Sequence, residues 1–130
     1  MTSRIQQTEV FQAAAADIYE LLTDSTKFSE MTGGAPAEID PSDGGGISLF
    51  GGMITGRTIE AVQNQRVVQA WRPQPWDAGV YSIVRFEIVA DGETATVSLD
   101  HTGFPEGEGE HLAQGWQDNY WSNMRAAISG

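Results

Sequence analysis

The segment ETATVSLDHT, residues 93–102, alternates strictly between two kinds of side chain. One face would carry Ala95, Val97, Leu99 and His101, and the other face only threonine, serine and aspartate. Successive side chains of a β-strand point to opposite faces of the sheet, so this pattern predicts a strand with one dry and one wet face. Such alternation is typical of an antiparallel sheet that is covered on one side only. The chain must therefore supply a cover for the dry side.

The C-terminal segment, residues 103–130, is the candidate cover. Three glutamates lie in PEGEGE, residues 105–110, where the positive end of a helix dipole favours them. Large or apolar side chains then recur at helical spacing, at Leu112, Trp116, Tyr120, Met124 and Ala127. A helix turns about 100° per residue, which puts these side chains on one broad stripe. We therefore expect a long helix that lies across the dry face.

The preceding sequence predicts the rest of the fold. A first strand is expected over residues 4–11, followed by a helix in AAAADIYELLTD and a short second helix or turn in TKFSEMT. Further strands separated by glycine-rich or polar turns follow from Ile47 onwards. The prediction is a single α+β domain over residues 1–130. It has a curved antiparallel sheet of about six to seven strands, one or two short helices after the first strand, and a long C-terminal helix.

Composition limits the classes of partner. The chain has 130 residues, with 18 acidic and 7 basic side chains and a formal net charge of -11. Binding to nucleic acid or to anionic membranes depends on cationic side chains, so neither partner is expected. The acidity is explained by solubility, with a basic protein partner as the alternative.

Several kinds of chemistry find no support in the sequence. The chain has no cysteine, which removes disulfides, thiolate catalysis and cysteine-bound zinc. Its two histidines are isolated, and its glycine-rich stretches fit no phosphate-binding motif, so neither metal nor cofactor is expected. The N-terminus lacks the apolar core of a signal peptide, and no apolar run reaches the length of a membrane span. The expected location is the cytoplasm.

Four short motifs in a fixed order resemble a known family. They are the Trp71-Arg72 pair at a strand end, the second tryptophan Trp76, the turn formed by His101, Gly103 and Pro105, and the pair Gly115-Trp116. Together with their surroundings they resemble the START-like (SRPBCC) superfamily. More closely, they resemble its branch named for the C-terminal domain of the activator of the 90 kDa heat-shock-protein ATPase.

The resemblance implies a helix-grip fold with a deep and mostly apolar cavity. The superfamily includes lipid carriers, hormone receptors, allergens, cyclases and aromatases, and many small bacterial members of this branch have no assigned activity, so function does not follow from the fold. The chain also departs from the family where the last helix reads QDNYWSNMRAAISG instead of continuing with leucine-rich spacing.

The aromatic side chains have two interpretations, a solid core or the lining of a pocket. The segment WRPQPW, residues 71–76, predicts a rigid turn that directs Trp71 under the last helix and leaves Trp76 near the entrance. The leading hypothesis is a module that binds a small apolar or aromatic molecule between the sheet and the C-terminal helix. Its candidate binding residues are Met31, Phe50, Met53, Trp71, Arg72, Trp76, Val84, Phe86, Leu99, His101, Trp116, Tyr120 and Met124.

Three residues of that set would supply polarity, and two other functions stay open. Tyr120 and His101 would offer hydrogen bonds, and Arg72 at a strand end would anchor a polar or anionic group. The first alternative is a cofactor-independent cyclase or hydrolase with His101 as general base, although an inward histidine is also a common structural residue. The second is a co-chaperone of stress-response type, although the known activator has an additional N-terminal domain for which 130 residues leave no room. A chaperone or a weak homodimer would then be the partner.

Overall fold

The computed structural model of the protein describes residues 4–129, and these contain seven strands. The strands are β1 (Arg4–Phe11), β2 (Glu38–Ile39), β3 (Gly46–Leu49), β4 (Ile54–Val62), β5 (Arg66–Pro73), β6 (Ser82–Asp91) and β7 (Thr94–Thr102). They form one antiparallel sheet in the order β1-β7-β6-β5-β4-β3-β2. The α+β helix-grip prediction is confirmed, with a curved sheet around a long C-terminal helix.

Two short helices follow the first strand, as the sequence predicts. They are α1 (Ala15–Thr23) and α2 (Ser25–Met31). Asp24 separates them because its extended backbone ends one helix, while its side chain accepts a hydrogen bond from the backbone N–H of Lys27 at 2.9 Å and caps the next. Helix α1 buries Ile18 and Leu22 against the rest of the core.

The dry face of the sheet is the face that alternation predicts. Ala95, Val97, Leu99 and His101 are buried in β7, and Val84 and Phe86 lie beside them in β6. On β4, Gly56 pairs with Trp71 of β5. A Cβ at this glycine would lie 1.8 Å from the carbonyl oxygen of Ala70, so the close approach of these two strands requires glycine.

The C-terminal helix has three consecutive segments, α3 (Gly109–Gly115), a π-helical segment (Trp116–Trp121) and α4 (Ser122–Ser129). Within it, the N–H of Ser122 bonds to the carbonyl of Gln117, five residues earlier. The additional residue per turn rotates the following positions. Trp121 is buried as well as Tyr120, whereas Ala127 is exposed. The predicted stripe is therefore confirmed for Trp116, Tyr120 and Met124 and wrong for Ala127.

None of the helices within residues 4–129 combines the length and the apolar character needed to cross a bilayer.

Candidate functional site

A cavity of about 360 Å³ lies between the start of the C-terminal helix and the ends of β4 and β5. Three tryptophans and one tyrosine, which we call the aromatic wall, are among the residues that line it: Trp71, Trp76, Trp116 and Tyr120. The other lining residues are Phe50, Met53, Ile54, Pro73, Pro75, Glu108, His111, Leu112, Gly115 and Asn119. The lining therefore brings together three regions that are distant in the sequence.

The aromatic wall is built around a stacked tryptophan pair. The rings of Trp71 and Trp116 lie 5.0 Å apart between centroids at an interplanar angle of 19°. Tyr120 packs against both, with its ring centroid 4.5 Å from that of Trp116 and 5.8 Å from that of Trp71. Trp71 comes from the last part of β5 and Trp116 from the π-helical segment, so the pair joins the sheet to the helix. The sequence prediction that Trp71 points under the last helix agrees with this arrangement.

Each indole of the stacked pair is held by a buried hydrogen bond. Trp71 donates its Nε1–H to Oε1 of Gln69 at 2.9 Å, and Trp116 donates its Nε1–H to Nδ1 of His101 at 3.1 Å. His101 in turn lies 2.8 Å from Oγ of Ser82 through Nε2. Because these partners are themselves buried, the ring orientations are fixed by the sheet below them.

The tautomer of His101 follows from its partners. An indole N–H only donates, so Nδ1 of His101 must be the unprotonated acceptor and Nε2 must carry the proton toward Ser82. Burial lowers the pKa of His101 from its ordinary value of 6.5 to about 4, and the charge of Asp100 opposes that shift only in part. His101 does not line the cavity, and both of its ring nitrogens are engaged. This geometry gives His101 a structural role beneath Trp116 rather than the position of a general base.

The turn after β5 positions Trp76 at the side of the cavity. Trp76 is 7% exposed and donates its Nε1–H to Oε1 of Glu108 at 3.0 Å. Arg72 donates to the carbonyl oxygens of Trp76 at 2.8 Å and of Asp77 at 3.1 Å. The interpretation of Arg72 as an anchor for a ligand anion is thus replaced by a local role, in which its guanidinium closes the turn that carries Trp76.

Two further features belong to residues that line the cavity, Phe50 and Tyr120. Phe50 has a left-handed backbone (φ 54°), unusual for a residue other than glycine, and packs against Phe28 and Tyr120. The Tyr120 hydroxyl makes no hydrogen bond to any residue in the described part of the chain. Every fully buried polar side-chain atom in that part has a hydrogen-bond partner, so this hydroxyl is not fully buried. The hydroxyl therefore opens onto the cavity, where burial raises its pKa well above the ordinary value and keeps it protonated.

The structure divides the predicted binding residues into two groups. Phe50, Met53 and the four residues of the aromatic wall line the cavity. The residues that lie elsewhere are Met31, Arg72, Val84, Phe86, Leu99, His101 and Met124. Of these, Val84, Phe86, Leu99 and Met124 fill the core below the wall, because the inward face of the sheet extends well beyond the cavity.

Sequence reasoning missed several lining residues. Pro73 and Pro75 belong to the quoted WRPQPW segment and could have been included on that ground. Gly115 was noticed only as part of a family motif. Glu108 looked like one of three equivalent glutamates at a helix start, and nothing local marks it as the partner of Trp76, which is 32 residues earlier.

A second depression, of about 750 Å³, lies between α1, α2 and α4. Met31 lines it together with charged side chains that include Asp17, Lys27 and Glu30. It is larger than the first cavity, but it lacks an aromatic wall and mixes charges of both signs, so it does not resemble a small-molecule site. Across residues 4–129, no group of three or more histidine, cysteine or carboxylate side chains is arranged to hold a metal ion.

The curved sheet, the long C-terminal helix and the cavity between them define a START-like helix-grip protein. Residues 12–129 match the model of the family described as Activator of Hsp90 ATPase homolog 1-like protein. The chain belongs to this family.

Individual relatives agree with that assignment. The Activator of 90 kDa heat shock protein ATPase homolog of Dictyostelium discoideum is 30% identical over 129 residues, which are 98% of this chain and 33% of that protein. A crystal structure of an HSP90 activator from Plasmodium falciparum has a TM-score of 0.92 at 25% identity and covers 98% of this chain and 97% of that one. The solution structure of the Aha1 dimer from Colwellia psychrerythraea shares the fold, with a TM-score of 0.81 at 15% identity and coverage of 98% and 96%.

The match to the curated relatives is partial in one respect. This chain spans about a third of the length of the curated relatives it matches. The activity and partners of those longer proteins are therefore considered only as proposals.

Proposed function

We propose that this protein binds a small, flat, mostly apolar molecule in the cavity bounded by the aromatic wall. The observation that carries the proposal is the stacked pair of Trp71 and Trp116, whose indoles are held at the cavity by hydrogen bonds to Gln69 and His101. The volume of about 360 Å³ lies within the usual range for small-molecule pockets. Aromatic rings supply flat contact area to a ligand at low conformational cost.

The polar groups of the lining are few, which also suits such a ligand. The Tyr120 hydroxyl is available to one hydrogen-bonding group of the ligand, and the rim carries Glu108, His111 and Asn119. A mostly apolar pocket with a few polar groups is the usual composition of a small-molecule site.

The first test is native mass spectrometry of protein purified from its own host under conditions that retain bound molecules. A discrete additional mass would give the class of ligand directly. Ligand-observed NMR with naphthalenemethanol then measures binding of a neutral aromatic probe. A clean protein mass together with no detectable binding of aromatic probes would reject the proposal.

Two tryptophans provide a matched pair of variants for this test. Trp116 lines the cavity and Trp121 does not, yet both are almost fully buried and each donates one hydrogen bond, to His101 and to Gln7. Trp116→Phe and Trp121→Phe should therefore lower the free energy of unfolding to a similar degree. Only Trp116→Phe should weaken binding of the probe, and equal losses of affinity in the two variants would place the ligand elsewhere.

A second candidate function is action on a 90 kDa heat-shock-protein ATPase. It is favoured by the names of the relatives, and in particular by the Plasmodium HSP90 activator, which matches this chain over nearly the whole length of both. The activator's additional N-terminal domain was our argument against this role, and the Plasmodium protein carries the name of an activator at nearly the same length as this chain. The test is the ATPase rate of the purified heat-shock protein from the same organism with and without this chain. An unchanged rate and no complex on size-exclusion chromatography would dismiss it.

A further inference from the structure

The lining of the cavity holds an acidic side chain but, among the described residues, no lysine or arginine. Glu108 is the only carboxylate among the lining residues that the structure describes. The remaining polar side chains of the lining are the His111 imidazole, the Asn119 amide and the Tyr120 hydroxyl. A bound carboxylate would therefore meet no permanent cation, and it would also face the field of a chain with net charge -11.

Glu108 is placed to receive a cation. Its Oε1 accepts the hydrogen bond from Trp76 at 3.0 Å, which holds the carboxylate at the wall. An ionised carboxylate has about four lone-pair sites on two oxygens, so this single bond leaves acceptor capacity for a ligand. None of the lysines and arginines that the structure describes forms a salt bridge with Glu108. The side chain is also half-buried, which reduces the screening of its charge by water.

The aromatic wall strengthens the same preference. The faces of tryptophan and tyrosine rings attract cations, and tryptophan does so most strongly. The cavity brings three tryptophans and one tyrosine together with that carboxylate. Trp116 stacks on both Trp71 and Trp121, whereas Trp76 forms no ring contact within the described residues and lies beside Glu108. A ligand with both a flat ring and a positive nitrogen would contact the Trp76 ring and that carboxylate at once.

We infer that the cavity selects aromatic amines, meaning molecules with an aromatic ring and a protonated nitrogen one or two bonds away, over carboxylates of the same shape. This inference rests on the proposed function, because it names the ligand class of the same cavity.

The experiment compares three probes with the same ring by isothermal titration calorimetry at neutral pH. They are naphthylmethylamine, which is cationic, naphthalenemethanol, which is neutral, and naphthylacetate, which is anionic. The expected order of affinity is amine, then alcohol, then carboxylate, with an advantage of the amine over the alcohol on the order of tenfold.

Two variants separate the effect of the Glu108 carboxylate on affinity from the effect of the protein's net charge. Glu108→Gln keeps an oxygen that can accept from Trp76, and it should reduce the amine's advantage over the alcohol to about twofold. Glu106→Gln removes the same unit of charge from a neighbouring exposed residue outside the lining, and it should preserve the advantage.

The outcomes are distinguishable. If the alcohol binds as tightly as the amine, or the carboxylate binds most tightly, the inference is overturned and the proposed function stands. If Glu106→Gln removes the advantage as completely as Glu108→Gln does, net charge and not the site explains it, and the inference also fails. If none of the three probes binds, the inference fails, and a clean native mass would then reject the proposed function as well.

Discussion

Replacement of His101 by glutamine should change how the stability of this protein depends on pH. His101 is completely buried, accepts a hydrogen bond from Trp116 and donates one to Ser82. Protonation would place a second donor against the indole N–H of Trp116 in a fully buried site. Burial accordingly lowers the pKa of His101 to about 4, whereas the unfolded chain titrates near 6.5.

The sign and the size of the effect follow from proton linkage. Between pH 6.5 and 4 the unfolded chain binds a proton at His101 that the folded chain does not bind. The free energy of unfolding therefore falls as the pH falls through this window, and the contribution is fully present above pH 6.5. Each pKa unit corresponds to about 1.4 kcal/mol, so the loss attributable to His101 is about 3 kcal/mol.

The assay is urea denaturation followed by tryptophan fluorescence, at several pH values between 8 and 4. The carboxylates that wild-type and His101→Gln share affect both proteins alike, so the difference between their unfolding free energies isolates His101. This difference should be constant above pH 7 and should shift by about 3 kcal/mol in favour of the variant by pH 4. His111→Gln, at the exposed histidine, is the matched control for replacing an imidazole with an amide. If the unfolding free energies of wild-type and His101→Gln changed in parallel with pH, His101 would not be buried and neutral in the folded protein.

Three other substitutions test the packing around the cavity. Gly56→Ala should lower the free energy of unfolding by about 3 kcal/mol, because its Cβ would lie 1.8 Å from the Ala70 carbonyl oxygen; a loss below about 1 kcal/mol in urea denaturation would contradict this close approach. Gly115→Ala should raise the free energy of unfolding by roughly 0.5–1 kcal/mol, because alanine favours the helix and the new Cβ meets only the Asn119 amide, at 3.7 Å. A fall in the melting temperature would show that the space around residue 115 is too small for a methyl group. Tyr120→Phe should change the free energy of unfolding by less than about 0.5 kcal/mol, since the hydroxyl has no partner in the described chain, and a larger loss on urea denaturation would reveal one.

Local periodicity was sufficient for much of the fold. The alternation in β7 correctly assigned His101 and Leu99 to the dry face, because the strand geometry alone decides which side chains share a face. The turn predicted in WRPQPW directed Trp71 under the last helix, and Trp71 is buried at the end of β5. The spacing of Trp116 and Tyr120 predicted the buried side of the last helix, because a helix has a fixed angular period.

The tertiary structure decided which residues of the last helix are buried, which a regular repeat in the sequence cannot predict. The π-helical segment places Trp121 in the core and turns Ala127 to solvent, because one additional residue in a turn changes the phase of every position after it. No regular pattern in the sequence marks where such a residue is inserted.

The residues of the candidate site could not be fully predicted from local periodicity either. Sequence alone supplied the aromatic residues, but it could not separate the lining of the cavity from the core below it, because both sets face the same side of the sheet. Arg72 closes its own turn, and Glu108 accepts a hydrogen bond from Trp76 at the wall of the cavity. Such contacts depend on where distant segments meet in space, whereas a residue's position in the local repeat fixes only its face.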